Sequence, residues 1–167
     1  MEQAHEKHIF DPVFDSQSRI LILGTFPSVK SRENKFYYGH PQNRFWKVIS
    51  AIFECPLPAT IEEKKAMLIT HHVAIWDVID SCDITGSSDS SIKNVVPTDL
   101  SVILDNSNIN KIYANGKTAE KLYGRYQESM IGKKIIGLPS TSPANAGYSL
   151  ERLIEEWKCI KSELNIY

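Results

Sequence analysis

Cysteine is scarce in this sequence, and the three present make no pattern. Cys55, Cys82 and Cys159 lie far apart, no C-x-x-C occurs and the number is odd. That argues against a thiolate metal cluster and a disulfide framework, so a reducing, cytoplasmic setting is the natural expectation. Long hydrophobic runs are missing too. The longest unbroken aliphatic stretch is Ile20 to Leu23, far short of the ~20 residues that span a bilayer. The opening MEQAHEKHIF has no apolar signal core. No charge sign dominates: 19 Lys+Arg against 20 Asp+Glu leave a net charge of -1. This speaks against attachment to nucleic acid by bulk electrostatics, while leaving room for a local basic face. P-loop, G-x-G-x-x-G and G-x-S-x-G motifs are all absent, as are repeats and low-complexity linkers.

What is present is an ordinary globular composition, 42% hydrophobic and 23% charged over 167 residues. That is enough for one domain, 1–167, with a sizeable core. RILILG (19–24) reads as a buried strand ended by glycine. A helix follows from about Asn43, with Phe45, Val48, Ile49, Ile52 and Phe53 on one face and Pro56 and Pro58 ending it. Thr60 to Glu63 form a capping box for a helix to about His71. VAIWDVI (73–79), KIYAN (111–115) and KKIIGL (133–138) read as three more strands. Residues 81–94 read as a polar loop, a helix runs from Pro97-Thr98 to about Leu104, and Gly116 turns into the helix KTAEKLYGRYQ. Ser149 caps a last helix striped by Leu150, Leu153, Ile154, Trp157 and Ile160. Strands alternating with helices imply a mostly parallel sheet covered on both faces, with ligands bound outside the carboxyl ends of its strands.

The loops at those ends hold the unusual composition. GTFPSVKSRENKFYYGHPQNRFWKVI (24–49) crowds aromatics, amides and hydroxyls together with only one acid, Glu33. Phe36 and Phe45 suit core lining, and Phe26 suits either core or site. Tyr37-Tyr38-Gly39 offers a flat π face beside bare backbone, which is what a planar heterocycle needs. Lys30, Arg32, Lys35, Arg44 and Lys47 interleave with the aromatics as a phosphate track or a solvated basic face. Asn43 is either a helix N-cap or a pocket amide, and the roles are compatible. LPSTSPANAG (138–147) can hold phosphates through backbone N–H groups and hydroxyls. Asp77, Asp80 and Asp83 either terminate a strand or bind Mg²⁺ for nuclease chemistry. Asp77, the one charge in an apolar run, reads as an orienter of a neighbouring loop. His71-His72 reads as a helix-end pair more readily than as a metal site.

Together these loops resemble the uracil-DNA glycosylase superfamily, and within it the hypoxanthine-DNA (deoxyinosine) glycosylase family, sometimes called family 6. GTFPS resembles the first superfamily motif. YYGHPQNRFW is close to the HP-x-NRFW stretch of mismatch-specific uracil glycosylases, and PSTSPANA (139–146) falls where the second motif belongs. AIWDVIDSC, GSSDSSIKN and ANGKTAEKL extend the resemblance over about 10–157.

The resemblance implies an α/β fold, a three-layer α/β/α sandwich with a four-stranded, mostly parallel central sheet. It implies a monofunctional DNA glycosylase of base excision repair that works by base flipping, without metal or other cofactor. The implied partner is double- or single-stranded DNA carrying a deaminated base. A monomer is expected from size, since an enzyme of this length can wrap duplex alone. Asn43 and Ser142 are the implied catalytic residues. Thr25, Phe26, Tyr37, Tyr38, Gly39 and Asn43 would contact the base. Ser28, Lys30, Arg32, Lys35, Asn115, Gly116, Lys117, Ser140, Thr141, Ser142, Ala144 and Asn145 would contact DNA. Phe26 stands where mismatch-specific enzymes carry the water-holding asparagine, which argues against ordinary uracil excision. Ala144 and Asn145 replace a bulky wedge. Alternatives are a mismatch-specific uracil/thymine glycosylase, a Mg²⁺-dependent nuclease and a non-catalytic nucleotide-binding module. A loop poor in acid suits a neutral base that leaves as an anion, since nearby carboxylates would repel it.

Overall fold

A computed structural model describes residues 2–164 of the chain. It begins with strand β1 (Gln3–Lys7) and continues through β2 (Ile20–Gly24), α1 (Val29–Asn34), α2 (Phe45–Ile52) and α3 (Ile61–Thr70). Then come β3 (Val73–Asp77), β4 (Ile79–Thr85), β5 (Lys93–Pro97), α4 (Ser101–Leu104) and β6 (Lys111–Asn115). The chain closes with α5 (Lys117–Tyr126), α6 (Glu128–Ile131), β7 (Ile135–Leu138), α7 (Leu150–Trp157) and α8 (Cys159–Ser162).

Four strands pair in parallel in the order β3-β2-β6-β7. The central strand β2 is buried throughout. Its alternation sends Ile20 and Ile22 to one face and Leu21 and Leu23 to the other. The first face packs against α2, α3, α7 and α8 through Phe45, Val48, Ile49, Leu68, Leu153 and Ile160. The second packs against α4 and α5 through Ile103, Ala119 and Tyr123. This is the expected sandwich: an α/β fold whose four-stranded parallel sheet carries helices on both faces. Among the described residues no helix is long and apolar enough to cross a membrane.

A second sheet was not expected. Of residues 81–94, read as a polar loop, only 86–92 are one; the rest belongs to β4 and β5. β4 runs antiparallel between β1 and β5 in a three-stranded sheet. The strand read as 73–79 divides at Val78, whose N–H donates to Gly24 O while its O accepts from Thr98 N–H. The chain thereby passes from one sheet to the other. Register shifts between Ile79 and Ser81 and between Ser81 and Asp83 break the alternation that would have marked β4. β1 is a polar edge strand with no hydrophobic period.

Smaller corrections concern helix ends. The helix expected from Asn43 starts at Phe45, and the one expected over 97–104 is a single turn from Ser101. The Thr60–Glu63 capping box and the Ser149 cap are present.

Trp157 ties the last helix to the core. It is fully buried, sets its ring edge-on to Phe45 at 6.0 Å and donates from Nε1 to Pro139 O at 2.9 Å. Trp157→Ala is expected to cost about 3–5 kcal/mol of stability, read as a lower urea midpoint.

Candidate active site

All four parallel strands deliver residues to one cavity of about 380 Å³ at their carboxyl ends. β2 contributes Gly24 and the Thr25–Ser28 segment after it, β3 Asp77, and β6 Asn115; the turn after β7 adds Ser140, Thr141, Ser142 and Ala144. Ser31, Tyr37, Tyr38 and Asn43 of the first loop complete one side. Ser87–Ser90, from the β4–β5 connection of the second sheet, complete the other. The volume falls in the usual range for small-molecule pockets, about 300–1,000 Å³.

The orientation of Asn43 follows from its donors. Phe45 N–H donates to Asn43 Oδ1 at 2.9 Å, and the Thr141 hydroxyl donates to the same oxygen at 2.8 Å. A backbone N–H cannot accept, so the oxygen must face it and the –NH₂ group is the free end. The Thr141 hydroxyl is fixed in turn, since Asn115 Nδ2 donates to it at 3.0 Å. Thr141 N–H donates back to Asn115 Oδ1 at 3.0 Å. Asn115 and Thr141 are both buried, so this pair aligns Asn43 and does not extend toward a phosphate. Asn43 serves α2 and the cavity together: one oxygen caps Phe45, leaving two N–H hydrogens for a ligand.

The two tyrosines differ. Tyr37 is buried in the aromatic core and donates its hydroxyl to Asp11 O at 2.8 Å. Tyr38, in the left-handed region at φ 52°, lays one ring face on Phe45 at 4.0 Å. Its buried hydroxyl has no partner of good geometry among the described residues. Burial, followed by the Asp77 charge, pushes both hydroxyls far above the ordinary tyrosine value, so each is a neutral donor.

Several expected site residues are engaged elsewhere. Gly39 does not offer free backbone: its N–H donates to Ser31 Oγ at 2.9 Å and its O accepts from Asn34 Nδ2. Arg32 is a brace rather than part of a phosphate track, bonded to Gly86 O at 2.7 Å and paired with Glu6 at 3.2 Å. Arg44 donates to the carbonyls of Tyr148, Ser142 and Asn145 and so holds the second loop in place. Lys30, Lys35, Lys47 and Lys117 remain exposed. Asn145 folds inward, donating to Ser140 O. Gly116 lies outside the lining, but its φ of 97° and the 3.1 Å from its would-be Cβ to Ser140 Cβ let the β6 and β7 turns meet. Ser28 caps α1 through Ser31 N–H. The hydroxyl oxygens of Ser140 and Ser142 accept from the backbone N–H groups of Ser142 and Ala144. Their hydrogens are left to donate.

The expectation of an acid-free site does not hold. Asp77 is buried in the lining and bonded to His8 Nε2 at 2.7 Å. His8 was missed because it follows a polar strand with no motif around it. The three aspartates diverge instead of forming a cation site. Asp80 is exposed. Asp83 accepts from Asn94 at 2.6 Å and from His5 at 2.9 Å, and these bonds hold its carboxyl below the usual range. Among the described residues no three His, Cys, Asp or Glu side chains are grouped to hold a metal ion.

Arg44 can be tested without touching the lining. Arg44→Ala leaves three carbonyls without their donor, so faster amide hydrogen exchange over residues 141–148 is expected with little change elsewhere.

Comparisons with known proteins agree with this geometry. The family described as the uracil DNA glycosylase superfamily matches residues 12–162. A protein of Methanosarcina acetivorans named hypoxanthine DNA glycosylase is 32% identical over 92% of this chain and 97% of its own length. One of the same name from Methanosarcina barkeri is 31% identical over 84% of this chain and 89% of its own. A solution NMR structure from Methanosarcina acetivorans, described provisionally as a uracil DNA glycosylase, superposes with a TM-score of 0.81 at 30% identity, over 96% of this chain and 99% of that one. The chain belongs to the uracil DNA glycosylase superfamily.

Proposed function

We propose that this chain is a monofunctional DNA glycosylase that hydrolyses the N-glycosidic bond of hypoxanthine, the deaminated form of adenine, in base excision repair. The observation that carries the reading is the free –NH₂ end of Asn43, presented to the cavity with its oxygen locked by Phe45 and Thr141. The names of the two relatives support the choice of base.

Cleavage builds positive charge on the sugar and negative charge on the departing base. The base first leaves the stack, at a cost of a few kcal/mol that is smaller for a mispaired nucleotide. In the cavity it lies against Tyr38, whose ring is stacked on Phe45, with Phe26 as a wall. Asn43 donates to the purine's carbonyl oxygen, where negative charge gathers as the bond breaks. A well-aimed neutral donor of this kind is typically worth about 10²–10³ in rate. The hydroxyl hydrogens of Ser140 and Ser142 bind phosphates beside the flipped nucleotide. Lys30, Lys35 and Lys47 supply sequence-blind attraction to the backbone. The protein works as a cytoplasmic monomer on duplex or single-stranded DNA.

The direct assay incubates the protein with end-labelled duplexes carrying inosine, uracil, xanthine or a G·T mismatch and then cuts abasic sites with alkali. Cleavage at inosine is expected, and Asn43→Ala should slow it by about 10²–10³ while lowering stability by only about 0.5–2 kcal/mol for the lost cap on Phe45, so that the variant is still folded at the assay temperature. Strand breaks that need Mg²⁺ and no alkali would point to a nuclease. Inosine-selective binding with no abasic product would point to a binding module. A second measurement concerns affinity. Lys30→Ala with Lys35→Ala should flatten the log-affinity against log-salt plot by up to ~0.9 per phosphate contact removed, without changing base preference.

A further inference from the structure

Asp77 has no part in the chemistry above, yet it is a buried carboxylate in the wall of the cavity. Its surroundings are specific. Phe10 N–H donates to His8 Nδ1 at 3.2 Å, so that nitrogen carries the lone pair and Nε2 carries the hydrogen. Nε2–H donates to Asp77 Oδ2 at 2.7 Å. The imidazole is enclosed by Phe10, Phe26 and Tyr37, with ring centroids 5.5, 6.1 and 5.8 Å away. The carboxylate cannot turn without giving up that bond.

Its other oxygen, Oδ1, receives no hydrogen bond from the described residues. It lies over Gly24, 2.5 Å from where a Cβ would stand, and the Tyr38 hydroxyl is 2.9 Å from the same point. The absence of a side chain at Gly24 leaves room for both an acceptor and a neutral donor beside the end of β2.

We propose that Asp77, held by His8, is the specificity-determining acceptor of this site and reads the ring N–H that deamination creates. The inference rests on the glycosylase reading and deepens it: the carboxylate selects the base before cleavage, and its charge opposes the negative charge that gathers on the base as it leaves, so its contribution is discrimination and not rate. Adenine carries a lone pair at N1, and hypoxanthine carries a hydrogen there. Cytosine and uracil differ in the same way at N3. A carboxylate can only accept, so no rotation adapts it to the undeaminated base. Asn43 is restrained in the complementary sense, with its oxygen bound and its N–H hydrogens free. A fixed donor for the carbonyl together with a fixed acceptor for the ring N–H matches the lactam edge. Adenine reverses both polarities and leaves both protein groups unpaired.

The test compares hypoxanthine with adenine, and uracil with cytosine, at one position of otherwise identical duplexes. Single-turnover cleavage and binding by fluorescence anisotropy are both measured. Asp77→Asn keeps the shape but supplies an N–H that adenine N1 can accept. The hypoxanthine-over-adenine ratio is expected to fall by about 10²-fold, with a gain in adenine binding that a misfolded variant could not produce. His8→Ala should lower the ratio in the same direction, and His8→Gln, which restores an N–H donor, should recover part of it. A wild-type enzyme that acts on uracil and ignores hypoxanthine would end the hypoxanthine reading. The Asp77 proposal would then stand or fall on the uracil-over-cytosine ratio, and the binding ratio decides it if no base is cut. If both members of a pair weaken equally in Asp77→Asn, leaving the ratio unchanged, the proposal is overturned.

Discussion

A backbone N–H can only donate, and the one at Phe45 faces the side chain of Asn43. That constraint decides which end of a nearly symmetric carboxamide looks into the cavity. Thr141 reinforces it, and Asn115 fixes Thr141 with two bonds. The relay joins the start of α2, the end of β6 and the turn after β7. Three segments distant in sequence therefore set one amide. Each member is satisfied by the next, as a buried polar network needs if it is to hold a single arrangement.

The parallel sheet supplies the convergence, and close approach supplies the detail. Gly24 lets the Asp77 and Tyr38 side chains crowd the end of β2, and Gly116 lets the β6 and β7 turns touch. The arginines of the first loop act inward. Arg44 holds the second loop, and Arg32 ties α1 to the second sheet. Much of the apparent basic face is thus spent on carbonyls and Glu6, consistent with a chain of net charge -1.

The central sheet was legible in the sequence because its strands are buried on both faces and read as apolar runs. The Thr60 capping box and the Trp157 stripe were legible for similar reasons, being local patterns with a fixed spacing. The gathering of GTFPS and PSTSPANA at one end was legible from topology alone. The second sheet was not. Its outer strand is polar, and β4 loses its alternation at two register shifts. With that sheet the sequence reading also missed His8, which reaches the cavity region through it, whereas the segment at 87–90 was read as one of the loops at the carboxyl ends and does line the cavity. The roles of individual basic residues were illegible as well. Whether a guanidinium faces solvent or a carbonyl depends on partners about 50 to 100 residues away, as with Gly86 for Arg32 and Ser142 for Arg44.

The placement of His8 has a thermal consequence. It follows directly on β1, a short strand on the rim of the smaller sheet, paired on one side only. Rim elements of this kind detach at a fraction of the free energy needed to open the whole molecule. Warming would therefore loosen the segment leading into His8 before the parallel sheet, and with it the amide relay, gave way, with the buried ring held last by Phe10 and Tyr37. If Asp77 reads the ring N–H as proposed, the first casualty of heat would be selectivity, in a protein still folded.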